Sequence, residues 1–238
     1  MKTSYPVGIR HAEDFSLSRA LRVMRSRGVN SVTPWLLIAV GSYLLGSIPF
    51  GYLAGRICGI DLRTKGSGNI GATNALRVLG KKWGYAVFLC DFLKAWLPVK
   101  LALGWGIALM VHPASAPGAL AGFCALLGHS FPVWLGFKGG KGIASSAGVI
   151  VGLFPQAFLL CLGTWILLFT TTRYVSVASI AASAALPAGV AVLYFLHRSD
   201  WLALLVSILM AALAIWRHRS NITRLRSGTE PRFERKKP

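Results

Sequence analysis

The chain alternates apolar blocks of membrane-crossing length with short polar breaks, and this alternation limits its fold more than any other feature. The blocks run roughly 34 to 58, 83 to 110, 116 to 137, 143 to 172, 174 to 196 and 201 to 216. About 20 apolar residues in a helix cross the hydrocarbon core of a bilayer, and in lipid the backbone polar groups must be satisfied internally. An all-α integral membrane protein is therefore expected. Composition agrees, with 54% hydrophobic and only 14% charged residues, too apolar a balance for a water-soluble domain. The first block is too long for the apolar region of a cleavable signal peptide. Cys58, Cys90, Cys124 and Cys161 fall within or at the ends of apolar blocks, without CxxC spacing or a nearby histidine pair. They read as small buried side chains, so neither a metal site nor a disulfide framework is expected.

The fourth block has thirty residues, which as one helix would measure about 45 Å, more than the ~30 Å core. Gly152 and Pro155 offer a break. Charge decides between the two readings. With one span, the Lys and Arg residues outside the spans from residue 34 onward divide nine to nine. With a break and two short helices, one face holds six in 56–82, two in 138–142, Arg173 and eight from Arg217 onward, while the other holds only Arg198. The excess of Lys and Arg on cytoplasmic loops favours the broken version. The expectation is seven membrane helices, with the N-terminus outside and the C-terminus cytoplasmic.

Three regions follow: a basic extension over 1–33, a membrane domain over 34–216, and a cytoplasmic basic tail over 217–238. The extension conflicts with the charge rule, because it carries Lys2, Arg10, Arg19, Arg22, Arg25 and Arg27 on the outer side. Either it crosses despite its charge, or translation starts further on, at Met24. The net charge of +19 would ordinarily raise nucleic acid as a partner. Here the basic residues sit in breaks between apolar blocks and in the tails, so no nucleic acid is expected.

Polar segments gather on the basic face. The first is Gly66-Ser67-Gly68-Asn69-Ile70-Gly71-Ala72-Thr73-Asn74-Ala75-Leu76-Arg77. It satisfies GxGxxG, but no strand precedes it, so a dinucleotide fold is excluded. Its glycines allow an anion nest of backbone N–H groups, Asn69, Thr73 and Asn74 add short polar groups, and Arg77 adds a phosphate-matching fork. The second runs from Gly128-His129-Ser130 to Lys138-Gly139-Gly140-Lys141-Gly142. Two lysines around paired glycines before a helix start suit an anion. It is not a Walker A loop, because Gly142 follows Lys141. His129, near the end of a span, fits either a structural bond or a site. Asp91 and Lys94 stand three apart, as a helical ion pair does. Arg173 to Ser179 and Arg217-His218-Arg219-Ser220-Asn221 return to the same face.

In this order the stretches 66–77, 128–142, RYVSVASI at 173–180 and RHRSNITRL at 217–225 resemble the bacterial membrane acyl phosphate:glycerol-3-phosphate acyltransferases, over about Leu44 to Gly228. The resemblance implies seven membrane helices in the bacterial inner membrane and an active site at the cytoplasmic face. It also implies transfer of a fatty acyl group from acyl phosphate to the 1-hydroxyl of glycerol 3-phosphate. The products are lysophosphatidic acid and phosphate, made without a cofactor or an acyl-enzyme. The donor would come from a soluble acyl-phosphate-producing enzyme, the functional partner beside the lipid bilayer. By motif position, Ser67, Lys141 and Ser179 would be catalytic. Gly68, Asn69, Thr73, Asn74, Arg77, His129, Gly139, Gly140, Gly142, His218 and Asn221 would bind substrate. Lys141 and its glycines would take the donor phosphate, Ser67 and Ser179 phosphate or carbonyl oxygens, and Arg77, His218 and Asn221 glycerol 3-phosphate. The HxxxxD signature of acyl-CoA enzymes is absent: Ser16, Pro117, Trp134, Leu202 and Thr223 stand five positions after the histidines. An anion or phosphate transporter is the alternative from another class. It would place its site at mid-bilayer between repeated halves, and the sequence shows no internal repeat.

Overall fold

The computed structural model describes residues 32–108 and 110–233. The basic extension, apart from its last two residues, and the end of the tail lie outside them. The chain divides after Leu37, and of the part before that division only residues 32–37, at the start of the first helix, are described. The described residues contain ten α-helices and no strand: α1 Thr33–Ser47, α2 Phe50–Ile57, α3 Ala72–Leu79, α4 Lys81–Ala108, α5 Ala116–Ser130, α6 Ile143–Leu153, α7 Pro155–Thr172, α8 Val175–Phe195, α9 Trp201–Arg217 and α10 Arg219–Arg226. A 3-10 turn, Val133–Leu135, follows α5.

Four runs are long and apolar enough to cross a membrane: Thr33–Ile57, Ala116–Leu135, Pro155–Thr172 and Val175–Phe195. The α9–α10 pair, bent by 51°, makes a fifth if taken as one span, and Ile143–Leu153 is shorter. At 28 residues α4 is longer than any of these helices, but Asp91, Lys94 and Lys100 punctuate it. The chain is thus a helical membrane protein with four to five membrane-capable helices, by length and apolarity, among the described residues.

Proline fixes two breaks. In the first block, read from sequence as one span, the helix stops at Ser47 and resumes at Phe50, because Pro49 brings no N–H to the ladder. The Ile48 carbonyl at this break accepts from Lys94 Nζ at 2.7 Å. In the fourth block the break falls at Phe154, and Pro155 starts α7, where a missing N–H costs nothing.

The central helix α4 packs against α3, α5 and α6, and α8 lies between α7 and α9. Gly148 of α6 meets the carbonyl of Phe92 so closely that a Cβ there would overlap it. Such small-residue contacts drive association in lipid, where apolar burial by itself gives little. The core joins Val99, Val149, Leu186, Val190 and Met210. Outward faces are also apolar, with Ile107 and Phe195 both 76% exposed, as expected of surfaces solvated by lipid. At the end away from the basic loops, Asp200 caps α9 through Ala203 N–H (2.9 Å) and accepts from the Ser115 hydroxyl (2.7 Å). The helices thereby converge the basic loops at the other end.

Candidate active site

Asn74, buried in the first turn of α3, shapes the loop that precedes it. Its Oδ1 accepts from Ser67 N–H (2.9 Å), and its Nδ2 donates to the carbonyls of Leu62 (3.2 Å) and Lys65 (3.0 Å). Asn69 Oδ1 accepts from Gly71 N–H at 2.8 Å, closing a short turn. Asn74 thus braces the loop with both ends of its amide, and the Ser67 hydroxyl is carried on a fixed backbone.

The second loop is clamped along both edges. Gly139 N–H donates to the Ser130 carbonyl and Gly140 N–H to the His129 carbonyl, each at 3.2 Å. From α9, Arg217 donates to the carbonyls of Gly139 (2.7 Å) and Gly140 (3.1 Å). These two glycines therefore give their N–H groups to α5. The anion donors that remain in the motif lie further on, at Lys141 and the first turn of α6. Gly142 starts that helix with φ +81°, a backbone state that glycine adopts without strain.

Lys141 Nζ donates to Asn221 Oδ1, and Asn221 Nδ2 donates to Glu230 Oε1 at 2.7 Å. Arg224 Nε reaches the other oxygen of Glu230 at 2.8 Å. Burial works against the Glu230 charge, but the bonds from Asn221 and Arg224 outweigh it and hold the carboxyl below its usual range. Burial, reinforced by the Arg224 charge, brings the Lys141 ammonium down to about 8. Burial also brings His218 down to about 4, so its ring is neutral at physiological pH. His218 Nδ1 lies 2.7 Å from the Ala214 carbonyl. A neutral ring must donate there, which leaves Nε2 as its acceptor.

The C-terminal segment crosses this corner. Arg77 donates to the Pro231 carbonyl (3.3 Å) and stacks on Phe233 (4.7 Å). Phe233 N–H donates to the Arg173 carbonyl (3.0 Å), and Arg232 Nε to that of Thr172 (3.0 Å).

Two neighbouring spaces open here. A polar pocket of about 230 Å³ is bounded by Ser67, Gly68, Asn69, Gly139, Lys141, Arg217, Arg219 and Ser220. A larger cavity of about 730 Å³ shares Ser67, Asn69 and Lys141 with it. That cavity continues past Thr73, Asn74, Arg77, Gly142, Ser179, His218 and Asn221 to an apolar interior of Ile150, Phe158, Trp165, Leu186 and Met210. His129 and Asp91 also line it. Ser179 is buried on its wall, with Oγ accepting from Trp165 Nε1 at 3.2 Å. Of the residues given catalytic or substrate-binding roles by motif position, all border one of the two spaces except Gly140, which touches them only through its neighbours.

Sequence reading left Arg217, Arg224 and Glu230 out of the site. Signals existed for each. Arg217 precedes His218 in the same motif, Arg224 falls one turn after Asn221, and Glu230 is one of only seven acidic residues in the chain. An acid within a basic tail is a partner in search of a cation.

Residues 36–228 match the glycerol-3-phosphate acyltransferase family model. A glycerol-3-phosphate acyltransferase from Geotalea daltonii is 43% identical over 204 residues, covering 86% of this chain and all of the relative. One from Trichlorobacter lovleyi is 46% identical, covering 85% of this chain and all of that relative. The crystal structure of PlsY (YgiH), an integral membrane glycerol 3-phosphate acyltransferase, in its glycerol 3-phosphate form, superimposes with a TM-score of 0.76 at 40% identity. It covers 84% of this chain and 96% of its own. The lysophosphatidic acid form gives 0.74 at 39% identity, with the same coverage. With the model matched across most of its length and relatives above 40% identity matched end to end, the chain belongs to the glycerol-3-phosphate acyltransferase family.

Proposed function

We propose that this protein transfers a fatty acyl group from acyl phosphate to the 1-hydroxyl of glycerol 3-phosphate, releasing phosphate and lysophosphatidic acid. The observation that carries the reading is a cationic polar pocket, about Lys141, Arg217 and Arg219, set beside a largely apolar cavity, with Lys141 lining both. Phosphate belongs in the first and a fatty chain in the second. The apolar wall is deep enough for much of a chain, because Ser176 to Leu186 of α8 spans ten residues, about 15 Å.

An acyl phosphate is an activated mixed anhydride, so the protein's task is placement and charge stabilisation. The hydroxyl oxygen of glycerol 3-phosphate attacks the acyl carbonyl carbon. The bond from that carbon to the phosphate-bearing oxygen breaks, phosphate leaves with the electron pair, and the hydroxyl proton is passed on to it. Lys141, Arg217 and the start of α6 hold the donor phosphate. Arg77, His218 and Asn221 hold the acceptor, with neutral His218 able to accept a hydrogen bond from an alcohol. Ser67 and Ser179 orient oxygens. Gly68, Asn69, Thr73 and Asn74 form the first loop's share of the site, and Gly139, Gly140 and Gly142 the second's.

In this reading α4 and α6 cross the membrane together with the five apolar segments, giving seven helices with the N-terminus outside. The site then faces the cytoplasm from the bacterial inner membrane, where a soluble enzyme delivers acyl phosphate. The test is to incubate purified protein with acyl phosphate and labelled glycerol 3-phosphate and look for labelled lysophosphatidic acid. Folded protein that makes none would refute the reaction. Acyl-CoA in place of acyl phosphate is expected to give little or no product, and equal rates with both would refute the donor assignment.

A further inference from the structure

One group of charges borders the larger cavity through Asp91 and His129. Asp91, Lys94 and His129 are at most 5% exposed and sit on α4 and α5, within membrane-embedded structure, where isolated ions are disfavoured. Lys94 Nζ and Asp91 Oδ1 are 2.7 Å apart, and His129 Nδ1 is 3.6 Å from the same oxygen. Lys94 also reaches the Ile48 carbonyl, and Ser145 of α6 donates to the Asp91 carbonyl at 3.0 Å.

The opposite edge of the His129 ring faces the second loop. It lies against Gly140, so closely that a Cβ there would overlap Nε2. His129 therefore touches Gly140 twice, through its backbone carbonyl and through its ring. Arg217 holds the carbonyl edge of the same glycine. Lys141 is the next residue, so the position of its Cα is set by how Gly140 is seated. An ion pair serving the helices alone would need only Asp91 and Lys94, which already face each other one turn apart. The imidazole adds a rigid plate between that pair and the loop.

We propose that Asp91, Lys94 and His129 form a positioning cluster that seats Gly140 and so fixes Lys141 at the phosphate it binds. Lys94 holds the Asp91 carboxylate, which faces the inner edge of the ring, the ring sets the glycine, and none of the three needs to touch the reacting atoms. The proposal rests on the reading of Lys141 as a phosphate ligand.

The test is steady-state kinetics on the full-length protein in detergent, varying acyl phosphate and glycerol 3-phosphate separately. The variants are His129→Ala, Gly140→Ala, the His129→Ala/Gly140→Ala double, Asp91→Asn and Lys141→Ala, each with its thermal unfolding midpoint. His129→Ala and Gly140→Ala are each expected to lower kcat/KM about 10- to 100-fold, the effect of a small misplacement of a catalytic group. The KM rise should fall on the same substrate as in Lys141→Ala. The double variant should recover activity over Gly140→Ala, because removing the ring leaves room for the new methyl. A fully active Gly140→Ala, a double variant no better than that single, or a KM rise on the other substrate would overturn the proposal. If His129→Ala does not fold, unchanged kinetics in both Asp91→Asn and Gly140→Ala overturn it. A silent Lys141→Ala would remove the phosphate reading alone, since loss in Gly140→Ala and recovery in the double still report the seating.

Discussion

Lys141 loses its charge nearer to neutrality than an ordinary lysine, and the consequence can be worked out as a pH profile. Burial brings its ammonium down to about 8, so the cation proposed to hold a phosphate dianion is present below that pH and is lost as pH rises through it. About nine-tenths of the free enzyme carries the charge at pH 7 and about one-tenth at pH 9, a tenfold change for each unit beyond the pKa. An ordinary lysine at 10.5 would still be almost wholly charged at pH 9. Because kcat/KM reports ionisations of the free enzyme, it should fall about tenfold from pH 7 to pH 9. On the acid side His218, down to about 4, stays neutral. Any limb near pH 6 then belongs to the second ionisation of the substrate phosphates, whose pKa is about 6. The assay is initial-rate formation of lysophosphatidic acid from pH 5.5 to 9.5, with stability of the protein checked at each end. Lys141→Arg keeps its charge throughout, so its profile should lose the alkaline limb while its overall rate is lower, a guanidinium fork being a different shape from an ammonium. A wild-type profile flat to pH 9.5, or an unchanged limb in Lys141→Arg, would refute the assignment.

Three further outcomes are expected. Asn221→Ala leaves Lys141 and Glu230 each without its shared amide, and should lower kcat/KM by about 10-fold or more, consistent with loss of charge-assisted hydrogen bonds worth about 1.5–3 kcal/mol; near-normal kinetics would make the amide dispensable. Leu186→Trp fills the deep end of the cavity and should shift preference toward shorter acyl phosphates, read from competition between donors of different length; unchanged preference would place the chain elsewhere. Asn74→Ala removes the brace of the first loop. It should lower activity and thermal stability together, with a stability loss of about 1–3 kcal/mol for the buried groups left unpaired, whereas Asn74 acting only on substrate would leave the unfolding midpoint unchanged.

Sequence by itself determined the class of the protein and pointed to the loops that line its candidate site. Membrane spans are written locally, since each helix satisfies its own backbone and must be apolar along its length. For that reason blocks 116–137, 174–196 and 201–216 correspond closely to α5, α8 and α9. The motifs were legible because glycine, lysine, histidine and asparagine need a reason to stand between apolar spans. What tertiary structure alone decided is which polar groups remain available for a substrate. Asn74 and Asn221 are the same residue type in neighbouring motifs, yet the first has both ends of its amide in its own loop and the second stands between Lys141 and Glu230. The N–H groups of Gly139 and Gly140, an anion nest on paper, are bonded to α5. Arg217 clamps that loop from 78 positions away. Hydrogen bonds have directional geometry and a reach of about 3 Å, so their partners depend on how distant helices pack, which no spacing along the chain records.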